Sequence, residues 1–269
     1  RTLKSLKTPL RYPGGKSKAV PKLLQYLPNL FQVKEFREPF LGGGSVALEI
    51  TKRYPHIDIW VNDLYEPLYN FWCELQHNGQ ELQDALLGIK SIYCNPDAAR
   101  CLFITSKEQI NDSDLSNFDR AVAFYIVNKC SFSGLTESSS FSAQASESNF
   151  STNGIERLTE YSEIIERWKI TNLSYESMLC DDKNTFIYLD PPYDIKDNLY
   201  GRKGEMHKRF DHDKFAHDCD QHTCPMLISY NSDQIIRDRF YEWTVGEFAH
   251  TYTMRSVGCY NIDQATRKE

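Results

Sequence analysis

No run of about 18 consecutive apolar residues occurs anywhere in this chain of 269 residues, which excludes a membrane-spanning helix of ordinary length. The opening residues, Arg1-Thr2-Leu3-Lys4-Ser5-Leu6-Lys7, also lack the apolar stretch of a secretion signal, and the protein is expected in the cytoplasm. The chain starts at Arg1 rather than Met and ends at Arg267-Lys268-Glu269 without an apolar closing strand, the pattern of a sequence trimmed at either end. There is no CxxC pair among the eight cysteines, and a disulfide framework belongs to small secreted chains, so reduced and mostly buried thiols are expected. His207, His212, His217, Cys219, His222 and Cys224 have the residue types of a zinc site but not the spacing of the usual ligand pairs, so no metal is expected. No internal repeat is present. Positive charge is in deficit overall, with a net charge of −6, which argues against a chain coated with basic residues.

The basic residues that are present cluster. Between Arg1 and Arg37 stand nine Lys or Arg against the single acid Glu35, and Arg202, Lys203, Lys208 and Arg209 form a second group opposed within its span only by Glu205. A charge run by itself describes a solvated face; two that flank one candidate site fit a polyanion partner.

Hydrophobic periodicity predicts a helix over 17–26, a strand over 35–40 and a helix through Val46, Leu48 and Ile50 that ends near Tyr54-Pro55. A strand over 58–63 follows. Strand, glycine loop, helix and strand within about thirty residues make a βαβ unit, which implies a parallel sheet. The middle departs from this alternation: helical patterns at 68–75, 81–94 and 119–128 lead into a polar tract at 131–151 too long for a simple connection, which is therefore expected to be functional or mobile. The α/β pattern resumes with a helix at 155–167, strands at 169–173 and 185–189, a helix at 213–219, and strands at 225–230 and 241–248. The expected fold is thus α/β: a mostly parallel Rossmann-like sheet with helices on both faces, built from residues 1–67 and 152–269. An inserted, mainly helical module with a hairpin is expected at 68–151.

Three motifs carry chemistry. The apolar strand Ile187-Tyr188-Leu189 stops at Asp190-Pro191-Pro192-Tyr193. Neither proline donates a backbone hydrogen bond and each restricts the residue before it, so this stiff terminus offers a carboxylate, a bare carbonyl and an aromatic ring to a planar amine. A strand ending in a structural Pro-Pro turn is the plainer alternative. Gly42-Gly43-Gly44, between strand and helix, allows close approach to the backbone, and with Ala47 satisfies the relaxed GxGxxA spacing; Asp63, at the end of the next strand, is placed to bind ribose hydroxyls. This indicates a nucleoside cofactor while leaving NAD, FAD and S-adenosylmethionine open. Gly15-Lys16-Ser17 matches the end of a phosphate loop, but Leu10 stands where its first glycine is required, so only a Gly-Gly turn presenting Tyr12 and Lys16 is retained.

In combination and order, Tyr12-Pro13-Gly14-Gly15-Lys16, Pro39-Phe40-Leu41-Gly42-Gly43-Gly44-Ser45, Asn62-Asp63 and Asp190-Pro191-Pro192-Tyr193 resemble the Dam-like DNA adenine methyltransferases, over roughly residues 8–260. The resemblance implies a Rossmann-like catalytic domain with an inserted target-recognition module. It also implies methyl transfer from S-adenosylmethionine to the 6-amino group of an extruded adenine in duplex DNA, by direct displacement. Tyr12, Lys16, Phe40, Gly42, Gly44, Asp63 and Asp190 then correspond to cofactor-binding positions, and Asp190, Pro191, Pro192 and Tyr193 to the catalytic tetrapeptide. Asn128, Lys129, Phe132, Ser133 and Gly134 resemble the start of the DNA-contacting hairpin, and Arg202, Lys203, Lys208 and Arg209 fall in the loop after the tetrapeptide. Double-stranded DNA is the implied partner, with a cognate restriction endonuclease as a further possible one and no membrane.

The chain departs from the family after Gly134. Members that read GATC usually place an arginine and an asparagine there, whereas this sequence has Thr136-Glu137-Ser138-Ser139-Ser140, so the resemblance does not carry GATC specificity over to this chain. An RNA amino-group methyltransferase is the nearest alternative. A nicotinamide oxidoreductase leaves the Pro-Pro-Tyr motif unexplained, and a non-catalytic DNA-binding regulator has no need of the carboxylate at Asp190.

Overall fold

A computed structural model describes residues 7–12, 19–132, 139–192, 210–230, 234–244, 249–251 and 266–268. Its centre is a five-stranded, all-parallel sheet in the order β3-β2-β1-β4-β5, with β1 at Glu35–Glu38, β2 at Asp58–Asn62, β3 at Lys169–Thr171, β4 at Thr185–Leu189 and β5 at Met226–Ile228. Glu35 aligns with both Asp58 and Thr185, which sets β1 between β2 and β4. The interior strand β4 is buried along its whole length, as a parallel strand covered on both faces requires. Its side chains alternate between two apolar clusters. Phe186 and Tyr188 join the larger one, and Ile187 and Leu189 join the smaller one with Phe215, Cys219 and Phe240.

Helix α1 (Val20–Leu24) precedes the sheet, α2 (Ser45–Arg53) links β1 to β2, and α3 (Glu66–His77), α4 (Gly79–Ile92), α5 (Pro96–Gln109), α6 (Asn117–Cys130), α7 (Ala143–Ser148), α8 (Thr152–Glu156) and α9 (Leu158–Ile164) fill the passage from β2 to β3. Helix α10 (His212–Asp220) follows β4, and α11 (Gln234–Arg239) follows β5. A short antiparallel pair, β6 (Ala249–Thr251) and β7 (Thr266–Lys268), stands apart from the main sheet. Among the described residues no helix is long and apolar enough to cross a membrane.

Several elements differ from the sequence expectation. Helix α5 was not anticipated, although Asn95 caps it by accepting from Ala98 N and Pro96 occupies its first turn. The helix expected over 155–167 is two short ones joined at Arg157. The polar tract contains α7, and Ser131 and Phe141 form an antiparallel bridge across it. The strand expected over 241–248 does not begin at Tyr241, which is in a turn after α11 and 78% exposed, while Trp243 folds back onto Phe240 with ring centroids 5.6 Å apart. Of the seven described cysteines, Cys130, Cys219 and Cys224 are buried and Cys94 and Cys101 are exposed, so burial is less general than expected.

The strand order fixes the position of any ligand. From β1 the chain proceeds outward through β2 to β3 and then returns past β1 to β4, so the topology reverses between β1 and β4. The crevice beyond the carboxyl ends of these two strands is where open α/β sheets bind ligands.

Candidate active site

A cleft of about 290 Å³ occupies that crevice, lined by residues that follow β1, β2, β3 and β4. The glycine loop forms one wall. Gly42 and Gly44 have φ of +53° and +75°, a region that only glycine enters without strain. Their missing side chains also make room for neighbours: a Cβ on Gly42 would lie 2.8 Å from Tyr12 Cε1, and one on Gly44 2.9 Å from Trp72 Cζ2. Buried Trp72, from α3, donates its indole N–H to the Gly42 carbonyl at 3.1 Å. Thr8 donates its hydroxyl to the Gly43 carbonyl, so residues 7–12 lie across the loop.

Asp63 is held at the next corner. Its Oδ2 accepts from Gly42 N and its Oδ1 from Tyr65 N, both at 3.0 Å, which ties the glycine loop to the end of β2. Burial pushes its carboxyl up to about 6, and the two N–H donors oppose that rise. The buried Asn62 beside it donates to the carbonyls of Pro39 and Leu173 at 3.0 and 2.8 Å, and accepts from Leu173 N and Thr171 Oγ1. Its saturated amide thus joins the loops after β1 and β3.

Asp190 and Pro192 enter from the end of β4, and Pro191 is buried behind them. Glu38, the last residue of β1, was not singled out from the sequence, although an acid at the end of a strand is part of the signal that marked Asp63. It is 3% exposed, lines the cleft and has its Oε2 without a hydrogen-bond partner. Burial, then the negative charges of Asp190 and Asp63, raise its carboxyl well above the usual carboxylate range. Three carboxyl groups therefore converge on one cleft, an environment that favours a cationic guest.

Apart from Phe40 and Tyr12, the apolar lining also went unrecognised in the sequence. Leu64 and Leu173, exposed by 58% and 42%, border the cleft, and Phe40 packs with Tyr175 and Phe210 at centroid separations of 5.7 and 5.6 Å. At the lip, Lys214 donates to Glu176 and Asp218, and Tyr175 donates to Asp218 at 2.6 Å, so the cation is neutralised locally.

Of the expected cofactor-binding residues, Tyr12, Phe40, Gly42, Gly44, Asp63 and Asp190 meet in this cleft. Lys16, Tyr193, Ser133, Gly134, Arg202, Lys203, Lys208 and Arg209 lie outside the described residues. Asn128 is not on a DNA-accessible surface: it is 1% exposed, its Oδ1 accepts from Arg11 N at 2.8 Å and its Nδ2 donates to Arg11 O at 2.6 Å. It joins the N-terminal segment to the end of α6, and a direct base contact from it is not compatible with that pairing. Lys129 lies over the Tyr125 ring at 5.5 Å, and burial followed by the Arg11 charge lowers its ammonium to about 8. Phe132 donates its N–H to Ser140 O at 3.1 Å, closing the base of the hairpin tract.

The profile of the D12 class N6 adenine-specific DNA methyltransferases matches residues 12–254, which contain every wall of this cleft. Among similar proteins, the Type II methyltransferase M.MjaIII of Methanocaldococcus jannaschii is 22% identical over 198 residues, covering 68% of this chain and 68% of that protein. A DNA adenine methylase of Vibrio cholerae is 27% identical over 189 residues, covering 68% of this chain and 64% of the relative. A DNA N-6-adenine-methyltransferase of Escherichia phage P1 is 25% identical over 201 residues, which cover 71% of this chain and 24% of the relative.

Proposed function

Because the chain belongs to the D12 class N6 adenine-specific DNA methyltransferase family, we propose that it transfers a methyl group from S-adenosylmethionine to the 6-amino group of an adenine flipped out of duplex DNA. The single observation that carries the reading is the convergence of the glycine loop, Asp63 and Asp190 on the crevice between β1 and β4. The residues present fit this cofactor. Three carboxyl groups suit a ligand with sulfonium and ammonium charges, Asp63 retains lone pairs for ribose hydroxyls, and Leu64 and Leu173 offer apolar surface to a purine. Tyr12, Phe40, Gly42 and Gly44, with Lys16 from the adjoining turn, complete the set that would hold it.

When bound, the cofactor supplies an electrophilic methyl group. The chain's own task is to orient the amine and exclude water. Asp190 accepts one N–H of the target amine and the Pro191 carbonyl accepts the other, which directs the nitrogen lone pair out of the base plane. Tyr193 stacks on the base, and Pro192 keeps the turn rigid. Duplex DNA is held by the basic residues Arg202, Lys203, Lys208 and Arg209, while Lys129, packed on Tyr125, supports the tract from Phe132 through Ser133 and Gly134 that contributes to choosing the target within an inserted module at 68–151. The cytoplasm is the compartment this reading assigns, and the Type II name of the Methanocaldococcus relative is compatible with a cognate endonuclease.

The decisive experiment supplies labelled cofactor with unmethylated genomic DNA or with total RNA, then identifies the modified nucleoside. N6-methyladenine in DNA is expected, and Asp190→Ala should reduce its formation by at least about a hundredfold while DNA binding persists. Label confined to RNA, or turnover retained in the Asp190 variant, would overturn the proposal.

A further inference from the structure

The segment 7–12 touches two places that the reaction must bring into step. On one side Thr8 bonds the Gly43 carbonyl and the Tyr12 ring fills the space left by Gly42 and Gly43, with a Cβ on Gly43 falling 3.1 Å from Tyr12 Cβ. On the other side, Arg11 exchanges both backbone groups with the Asn128 amide at the end of α6. Its guanidinium Nη1 donates to the Ser131 carbonyl one turn further on. Ser131 opens the hairpin tract: it bridges Phe141, and around it Phe132 N bonds Ser140 O at 3.1 Å and Ser142 N bonds Cys130 O at 2.9 Å. The returning stem is held by a second basic side chain, Lys107 of α5, whose Nζ donates to Ser139 O at 2.6 Å. Two adjacent residues, Arg11 and Tyr12, thus connect the stem of the recognition tract to the cofactor loop.

We infer that residues 7–12 form a strap that couples cofactor occupancy to DNA recognition, with Arg11 as the positioning residue that transmits it. The inference rests on the function proposed above. A ligand against the glycine loop fixes Tyr12; because Arg11 is its chain neighbour and is paired through its own backbone with a buried amide, fixing one restricts the other. The Ser131 carbonyl, and with it the register of the stem, is then held in one arrangement. Coupling of this kind is reciprocal, so DNA must tighten cofactor binding by the same factor.

The test uses the full chain, S-adenosylhomocysteine as a non-reactive cofactor analogue, and a duplex carrying the methylated context found by sequencing the product DNA. In the wild type the analogue should tighten the Kd for that duplex by at least about fivefold, a usual lower size for coupled sites. In Arg11→Ala the factor should fall to near one, while the Kd for DNA alone and for the analogue alone each stay within about twofold of wild type. Arg11→Lys keeps one donor and should recover part of the factor. Thermal melting of both variants checks that they fold. A wild-type factor of one, or full coupling in Arg11→Ala, would overturn the inference. So would an equal loss of DNA affinity with and without analogue, accompanied by a salt slope reduced by about one, since that marks a phosphate contact. If the wild type binds neither the analogue nor DNA, the proposed function fails instead.

Discussion

Among the described residues, Glu38 carries a clear electrostatic conflict. It is 3% exposed, one of its oxygens has no hydrogen-bond partner, and Asp190 and Asp63 add repulsion to the effect of burial. An acid whose folded pKa exceeds its unfolded value keeps a proton that the unfolded chain has already lost. Its contribution therefore weakens stability as pH rises from the unfolded value of 4.5 towards the raised folded one. Glu38→Gln is neutral at every pH and lacks that slope. In urea unfolding without ligand, the variant's stability relative to wild type should increase between pH 5 and pH 8 by about 1 kcal/mol or more, since a tenfold difference in proton affinity between the folded and unfolded chain corresponds to about 1.4 kcal/mol. A difference that does not vary with pH would show that Glu38 ionises freely in the fold.

Among the elements, α6 bears the greatest dependence on local chemistry, because its far end fixes Asn128, Lys129 and the hairpin stem. Its start is capped by Ser116, whose hydroxyl accepts from Asp119 N at 3.0 Å. Ser116→Ala should cost about 1 kcal/mol in chemical denaturation, and Ser116→Asp should stay within a few tenths of wild type; equal stability of the Ala variant would show that tertiary packing alone holds the turn. Elements like this were legible in the sequence because several signals agree: a cap, an apolar face and a length above ten residues. The strands β1, β2 and β4 and the glycine loop were legible for the same reason. Helix α5 had its signals, Asn95 and Pro96, but its apolar face is sparse, with Ala99, Phe103 and Ser106 buried. Helix α7, AQASES, has almost no apolar face, and what orders it is the Ser142 cap and the packing of Ala145. Tyr241 to Trp243 has strand-like residues, yet Trp243 completes the cluster behind α11 instead of pairing in the sheet. Asn128 resembled a base reader because residue type and order are visible in a sequence, whereas the backbone of Arg11, 117 positions away, is not.

For the molecule as a whole, the helical region between β2 and β3 reads in the sequence as an insertion that interrupts a sheet. Its packing is not separable in that way. One apolar cluster contains Phe36, Val61 and Tyr188 of the sheet together with Leu68, Phe71 and Trp72 of α3 and Phe124 and Tyr125 of α6. Phe71 lies 5.7 Å from Phe124 and 6.1 Å from Tyr125 between ring centroids, and Trp72 lies 5.6 Å from Trp168 just before β3. The indole that supports the Gly42 carbonyl therefore belongs to the helical region and the loop it supports to the sheet. Chains well beyond 150 residues commonly unfold in stages, but staged unfolding requires cores that can part. Parting these would expose Phe71, Trp72 and Phe124 at once, and each large aromatic contributes on the order of 2–3 kcal/mol by burial. A single calorimetric transition is therefore expected for the region spanning α2 to β4. S-adenosylhomocysteine at about a hundred times its Kd should shift that whole transition upward, corresponding to about 2.7 kcal/mol of added stability. Two transitions, with only the upper or lower one responding to the analogue, would mean that the helical region folds apart from the cofactor loop, and Trp72→Phe would then leave the analogue's affinity unchanged. If the transition is single, Trp72→Phe should lower both the midpoint and the affinity, because the same side chain fills the shared core and fixes the glycine loop.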